Sequence, residues 1–179
     1  MTTRETQKLA RIRSRCGVLA KTIFSIQEIY LKADTDQKAF IETMIGAAIW
    51  YIPKPINAWT GFMSIELLKS FLPDSGDANP KISEEHVYPR KVAARELLIN
   101  TSLNEELVHE LFNEKYGRLH YITPSENKLA TRHQRNDTFT TPEEVYEKAG
   151  IRLIKVDRND LPRIKKRDRH VIEKYLIDR

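Results

Sequence analysis

Apolar side chains recur at Leu9, Ile12, Cys16, Leu19, Ile23, Ile26 and Tyr30, at alternating spacings of three and four. That period marks one stripe of an α-helix, so it predicts a long first helix with its arginines on the other faces. Three heptads are short for a free-standing coiled coil, so the stripe is expected to pack on the protein's own core, the alternative being a helix that faces DNA or pairs with a second copy in a homodimer. Asp34-Thr35-Asp36 caps a second predicted helix that runs to about Tyr51. Its residues Phe40, Ile41, Met44, Ile45, Ala47, Ala48, Ile49 and Trp50 cover most of the circumference, and a helix apolar all round is expected to be buried. Pro53 and Pro55 stop it, and Asn57 is expected to cap a third helix carrying Phe62, Ile65, Leu68, Phe71 and Leu72. The turn formers from Pro73 to Pro80 then read as a linker, 73–80, closing a helical unit over 1–72.

The pattern changes beyond the linker. Ile82 to Val87 predicts a short strand ended by Pro89, and Arg90 to Ile99 a helix. Ser102-Leu-Asn-Glu105 has the spacing of a capping box and opens a predicted helix over 102–116, with Gly117 at its end. Leu119-His-Tyr-Ile122 alternates as a strand. Thr123-Pro-Ser-Glu126 starts a helix towards Arg132 with Asn127 in its first turn. Thr141-Pro-Glu-Glu144 repeats that signal, and Gly150 closes the helix. Ile151 to Val156 reads as a strand, and Asn159 or Asp160 caps a last helix. The expected class is α+β and α-rich, with a helical unit at 1–72, a core at 81–140 and a helix-strand-helix extension at 141–179.

Composition narrows the picture. With 179 residues, 40% of them hydrophobic, the chain has material for a core. No apolar run approaches the ~20 residues of a membrane span. The N-terminus lacks the pattern of a secretory signal, so no membrane partner and a cytoplasmic location are expected. A single cysteine, Cys16, excludes an internal disulfide framework and a Cys-rich zinc site. The net charge of +5 is unevenly spread. Residues 1–21 hold six basic side chains against one acidic, and residues 161–179 hold seven against three, so the middle is net negative. Two basic ends suit a polyanion such as DNA. Lys165, Lys166 and Arg167, within Arg163 to Arg169, are candidates for sequence-independent backbone contacts. Trp50 and Trp59 fall in the apolar first half and read as core.

One constellation can carry chemistry. Glu85-His86 ends a predicted strand, and Asn127 opens the helix that follows another. Carboxylate and amide oxygens suit a hard cation such as Mg²⁺ or Mn²⁺. A histidine titrates near neutrality and can take a proton from water. Arg90, Lys91 and Arg95 follow closely and could grip phosphate. Arg132 and Arg135 raise the same question, while His109 reads as a surface residue on its helix.

Glu85-His86-Val87-Tyr88-Pro89-Arg90 resembles the first motif of HNH endonucleases, an acid-histidine pair with a proline close behind. Thr123-Pro-Ser-Glu-Asn-Lys-Leu129 is similar to that family's final helix motif, an asparagine preceded by an acid, and Tyr116 to Ile122 fits the strand leading into it. Together the matches span roughly residues 82–133. The resemblance implies a ββα-metal core and metal-dependent cleavage of DNA, as in restriction or phage nucleases. It implies that His86 is the general base and that Glu85 and Asn127 bind the metal. The 41 residues from His86 to Asn127 exceed the span in compact members, and the family's frequent cysteine pairs are absent. His120 is the first candidate for the middle motif position, with His133, Asn100 and Asn104 behind it. The alternative is a non-catalytic nucleic-acid-binding protein that uses its basic ends.

Overall fold

The computed structural model describes residues 2–136 and 141–177. The boundary expected at 140 and the side chain of Arg135 lie outside the described residues. In chain order the elements are α1 (Thr3–Lys32), α2 (Thr35–Trp50), β1 (Trp59–Ser64), α3 (Ile65–Ser70), β2 (Ser83–His86), α4 (Arg90–Ile99) and α5 (Glu105–Leu111). After α5 one π-type turn runs over Phe112–Tyr116. Then come β3 (Leu119–Ile122), α6 (Pro124–Asn136), α7 (Pro142–Lys148), β4 (Leu153–Lys155), α8 (Leu161–Lys165) and α9 (Arg169–Ile177). The class is mixed α+β and mostly helical, as the periodicities predict. No described helix is long and apolar enough to cross a membrane.

The chain forms two compact units, each built from two separated segments: residues 1–58 with 86–118, and residues 59–85 with 119–179. The first is helical. Reciprocal capping boxes start α1 (Thr2 with Glu5) and α2 (Asp34 with Gln37). The predicted stripe on α1 is the buried face: Ile12, Cys16, Leu19, Ile23 and Tyr30 pack with Ile45, Ile49, Leu97, Leu98 and Val108. Full burial of each large aliphatic side chain contributes about 1.5–3 kcal/mol. The stripe is therefore consumed inside its own unit and does not form a homodimer seam. Helix α2 departs from expectation differently. Only its Ile41, Ile45 and Ile49 side is covered, and Phe40, Met44, Trp50 and Tyr51 stay exposed, because this helix has packing partners on one side only. Gly46 lets α2 approach α4, since a Cβ there would stand 3.3 Å from the Arg90 carbonyl oxygen.

The second unit is organised on a four-stranded mixed sheet of order β2-β3-β1-β4. Strand β1 runs parallel to β3, with Trp59 opposite Leu119, and antiparallel to β4, with Met63 opposite Ile154. This strand occupies the place of the expected third helix. Trp59-Thr-Gly-Phe-Met-Ser is rich in β-favouring side chains, and the helix begins only at Ile65, capped by Ser64 rather than Asn57. One core cluster packs Met63, Leu67 and Leu68 with Ile164 and Ile172, and another joins Ile122, Ala130, Val145, Tyr146 and Ile151. The expected last helix is two, α8 and α9, broken where Arg167 takes a φ of 65°. From there the Arg167 guanidinium donates to the carbonyls of Leu72 (2.7 Å) and Ala78 (3.4 Å). The 73–80 segment is thus a loop held within the second unit, not a linker, and residues 1–72 are not one helical unit. Turn-forming residues report a change of chain direction, which does not by itself mark a domain edge.

Candidate functional site

The elements that carry the candidate motifs form as their sequences dictate. Strand β3 neighbours β2 and leads directly into α6. Thr123 and Glu126 close the predicted capping box: the Glu126 amide donates to Thr123 Oγ1 (3.1 Å), and the Thr123 amide donates to Glu126 Oε2 (2.8 Å). Glu126 also accepts from Ser64 Oγ at 2.6 Å, which fixes the start of α6 against β1. The acid before Asn127 is therefore structural.

Asn127 lies in the first turn of α6, and its Oδ1 is buried without a hydrogen-bond partner. A buried acceptor left unpaired costs about 1–3 kcal/mol. Glu85 is buried at 7% exposure and accepts from Gln134 Nε2 at 2.8 Å. Asn127 and Gln134 are seven residues apart and share one face of α6, about 10 Å apart along the axis. The carboxylate and the amide thus lie against the same helix face, but Glu85 is bonded to Gln134 and not to Asn127.

His120 on β3 is also buried, with Nδ1 2.6 Å from Thr60 Oγ1. Phe62 meets its ring edge-on at 5.5 Å, and Tyr146 lies tilted at 5.3 Å. The Tyr146 hydroxyl is buried without a partner. Burial, followed by the negative charges of Glu85 and Glu143, pushes this phenol well above its ordinary range. Glu85, His120, Tyr146 and Gln134 form one neighbourhood in the second unit. Sequence reasoning missed Thr60, Gln134 and Tyr146, whose roles come from tertiary packing and leave no local signal.

The boundary between the units falls between Glu85 and His86. The half-buried His86 ring lies 5.7 Å from Trp50, and its Nδ1 is 3.4 Å from the Tyr116 carbonyl oxygen. A carbonyl oxygen only accepts, so this long contact is a hydrogen bond in the tautomer that carries the proton on Nδ1.

The other candidates divide by what their side chains already hold. Asn104 caps α5, taking the place expected of Ser102, and Asn100 accepts from the Ser102 amide, so both are capping residues. His133 is half-buried on α6. His109, expected at the surface, is half-buried and lies 3.1 Å from the Asn113 amide nitrogen. Arg95 is bound in a bidentate pair to buried Glu42, at 2.9 and 3.1 Å, and is committed to structure rather than to phosphate. Arg167 is committed to the 72–78 loop in the same way. Lys165 lies over the Tyr121 ring at 5.7 Å. Arg90, Lys91, Arg132 and Lys166 are exposed.

The Asn127 oxygen and the Glu85 carboxylate are both hard oxygen donors, whose chemistry fits Mg²⁺ or Mn²⁺ better than zinc, but Glu85 meets α6 two turns beyond Asn127. Among the described residues no group of three or more His, Cys, Asp or Glu side chains could hold a metal by itself. Comparison of the chain with protein-family models, with curated proteins and with solved structures finds no match to any of them.

Proposed function

We propose that the protein is a metal-dependent endonuclease acting on DNA, with Glu85, His86 and Asn127 as its working residues. The observation that carries this reading is the buried, unpartnered oxygen of Asn127 in the first turn of the helix whose Gln134, two turns on, bonds Glu85. A strand bearing the acid-histidine pair beside a strand that feeds that helix supports it further. Glu85 and Asn127 would each offer an oxygen to Mg²⁺ or Mn²⁺, Glu85 after leaving Gln134, with water spanning the remaining distance between them. When bound, the ion would supply stabilisation of the negative charge on the phosphate and on the departing 3′-oxygen. His86 would take a proton from water, in the tautomer whose Nδ1–H the Tyr116 carbonyl oxygen accepts. The water oxygen bonds to phosphorus as the bond from phosphorus to the 3′-oxygen breaks; the departing 3′-oxyanion takes a proton from solvent water, His86 gives its proton to solvent, and the products are a 5′-phosphate and a 3′-hydroxyl.

Supercoiled plasmid incubated with and without Mg²⁺ or Mn²⁺ tests the reading. The wild type is expected to nick only with metal, and His86→Ala to lose nicking while still binding DNA. Salt-sensitive binding with no cleavage under either ion would overturn it in favour of a non-catalytic nucleic-acid binder.

A further inference from the structure

Trp50 is a tryptophan that the fold leaves about half exposed. It ends α2 at 55% exposure, beside Tyr51 at 71%. The Arg90 guanidinium lies over the indole, 4.0 Å from the ring centroid, and the His86 ring lies tilted by 47° at 5.7 Å. Arg95, on the same helix as Arg90, is bound to Glu42, whereas Arg90 has no ion-pair or hydrogen-bond partner among the described residues. All of these residues belong to the first unit.

We infer that Trp50 and Arg90 form a platform for an unpaired nucleotide next to His86, the indole stacking on the base and Arg90 holding a phosphate. A guanidinium stacked on an aromatic ring keeps its in-plane N–H groups, which suit two phosphate oxygens. An exposed indole accepts any base by its π-face, but bases inside a duplex already stack on each other, so the platform selects single-stranded or locally unstacked nucleic acid. The inference rests on the nucleic-acid reading above and specifies its substrate.

Intrinsic fluorescence of the full chain, without divalent ion, tests it. The second tryptophan, Trp59, is buried and stacked on Tyr121 at 5.0 Å, and Trp59→Phe isolates the Trp50 signal. An oligothymidylate is expected to quench Trp50 strongly, and a duplex of equal length only weakly. Anisotropy of a labelled oligonucleotide gives a second readout that does not depend on the Trp59 variant. Trp50→Ala and Arg90→Ala should each weaken single-strand binding by about tenfold or more, and Trp50→Phe by less than about threefold. Unchanged single-strand affinity in Trp50→Ala, equal quenching by duplex, or no binding of either would overturn the platform. Quenching and binding as expected, in a protein that never nicks plasmid, would leave the platform standing and remove the nuclease.

Discussion

Asn127 carries opposite expectations for stability and for activity. Its oxygen contributes no hydrogen bond to the fold, so Asn127→Ala removes an unpaired acceptor at the expense of some packing. The change in unfolding free energy, read from urea titration, is expected within about 0.5 kcal/mol of zero, with plasmid nicking abolished. Glu42 behaves in the contrary manner. Burial alone would raise its pKa, but hydrogen bonds from Arg95 and Tyr30 outweigh this and hold it below the ordinary glutamate value. A carboxyl depressed in the folded state stabilises at pH above its unfolded value, and that stabilisation is lost as pH falls through the folded value. Thermal melts between pH 7 and pH 3 should therefore show a decline on the acid side that Glu42→Gln lacks. At pH 7 the variant should be less stable by about 1–2 kcal/mol, since the partly exposed Arg95 tempers the pair. Residue order alone singled out Glu85 and Asn127. It did not reveal that Arg95 is spent on Glu42 or that Trp50 is open, because which residue faces which is decided by packing between distant segments.

Helix starts were the most legible elements. Thr123 with Glu126, and Thr141 ahead of Pro142, announce α6 and α7 through capping chemistry that is local by nature. Strand β1 was not legible, because a six-residue run with a central glycine matches neither period clearly, and its pairing partners lie some 60 and 90 residues further along the chain. The break between α8 and α9 was hidden for a similar reason: Arg167 holds a positive φ while its guanidinium is anchored to the 72–78 loop. Gly117 shows how tightly the end of the π-type turn is closed. A Cβ there would stand 2.7 Å from both the Phe112 carbonyl oxygen and the Pro55 ring. Gly117→Ala is expected to cost about 1–3 kcal/mol by overpacking, measurable as a lowered urea midpoint.

For the whole molecule, net charge overstates what a polyanion can use. Arg95 and Arg167 are paired within the protein, whereas Arg90 is not. Each phosphate neutralised contributes about 0.9 to the slope of log affinity against log salt. Arg90→Ala should lower the measured slope of DNA binding by about one, while Arg95→Ala and Arg167→Ala leave it unchanged in filter-binding titrations with KCl.

The interleaved course of the chain also decides where a gene can sensibly be cut. A fragment stopping at residue 72 would hold α1 and α2 without α4 and α5, and β1 without a strand beside it. Removing 1–58 together with 86–118, and joining Glu85 to Leu119 through a short turn, takes away the whole first unit. It keeps 59–85 and 119–179 as an unbroken run, and with them the acid, the amide and the helix that any bound ion would need, so that ion affinity becomes measurable apart from the imidazole.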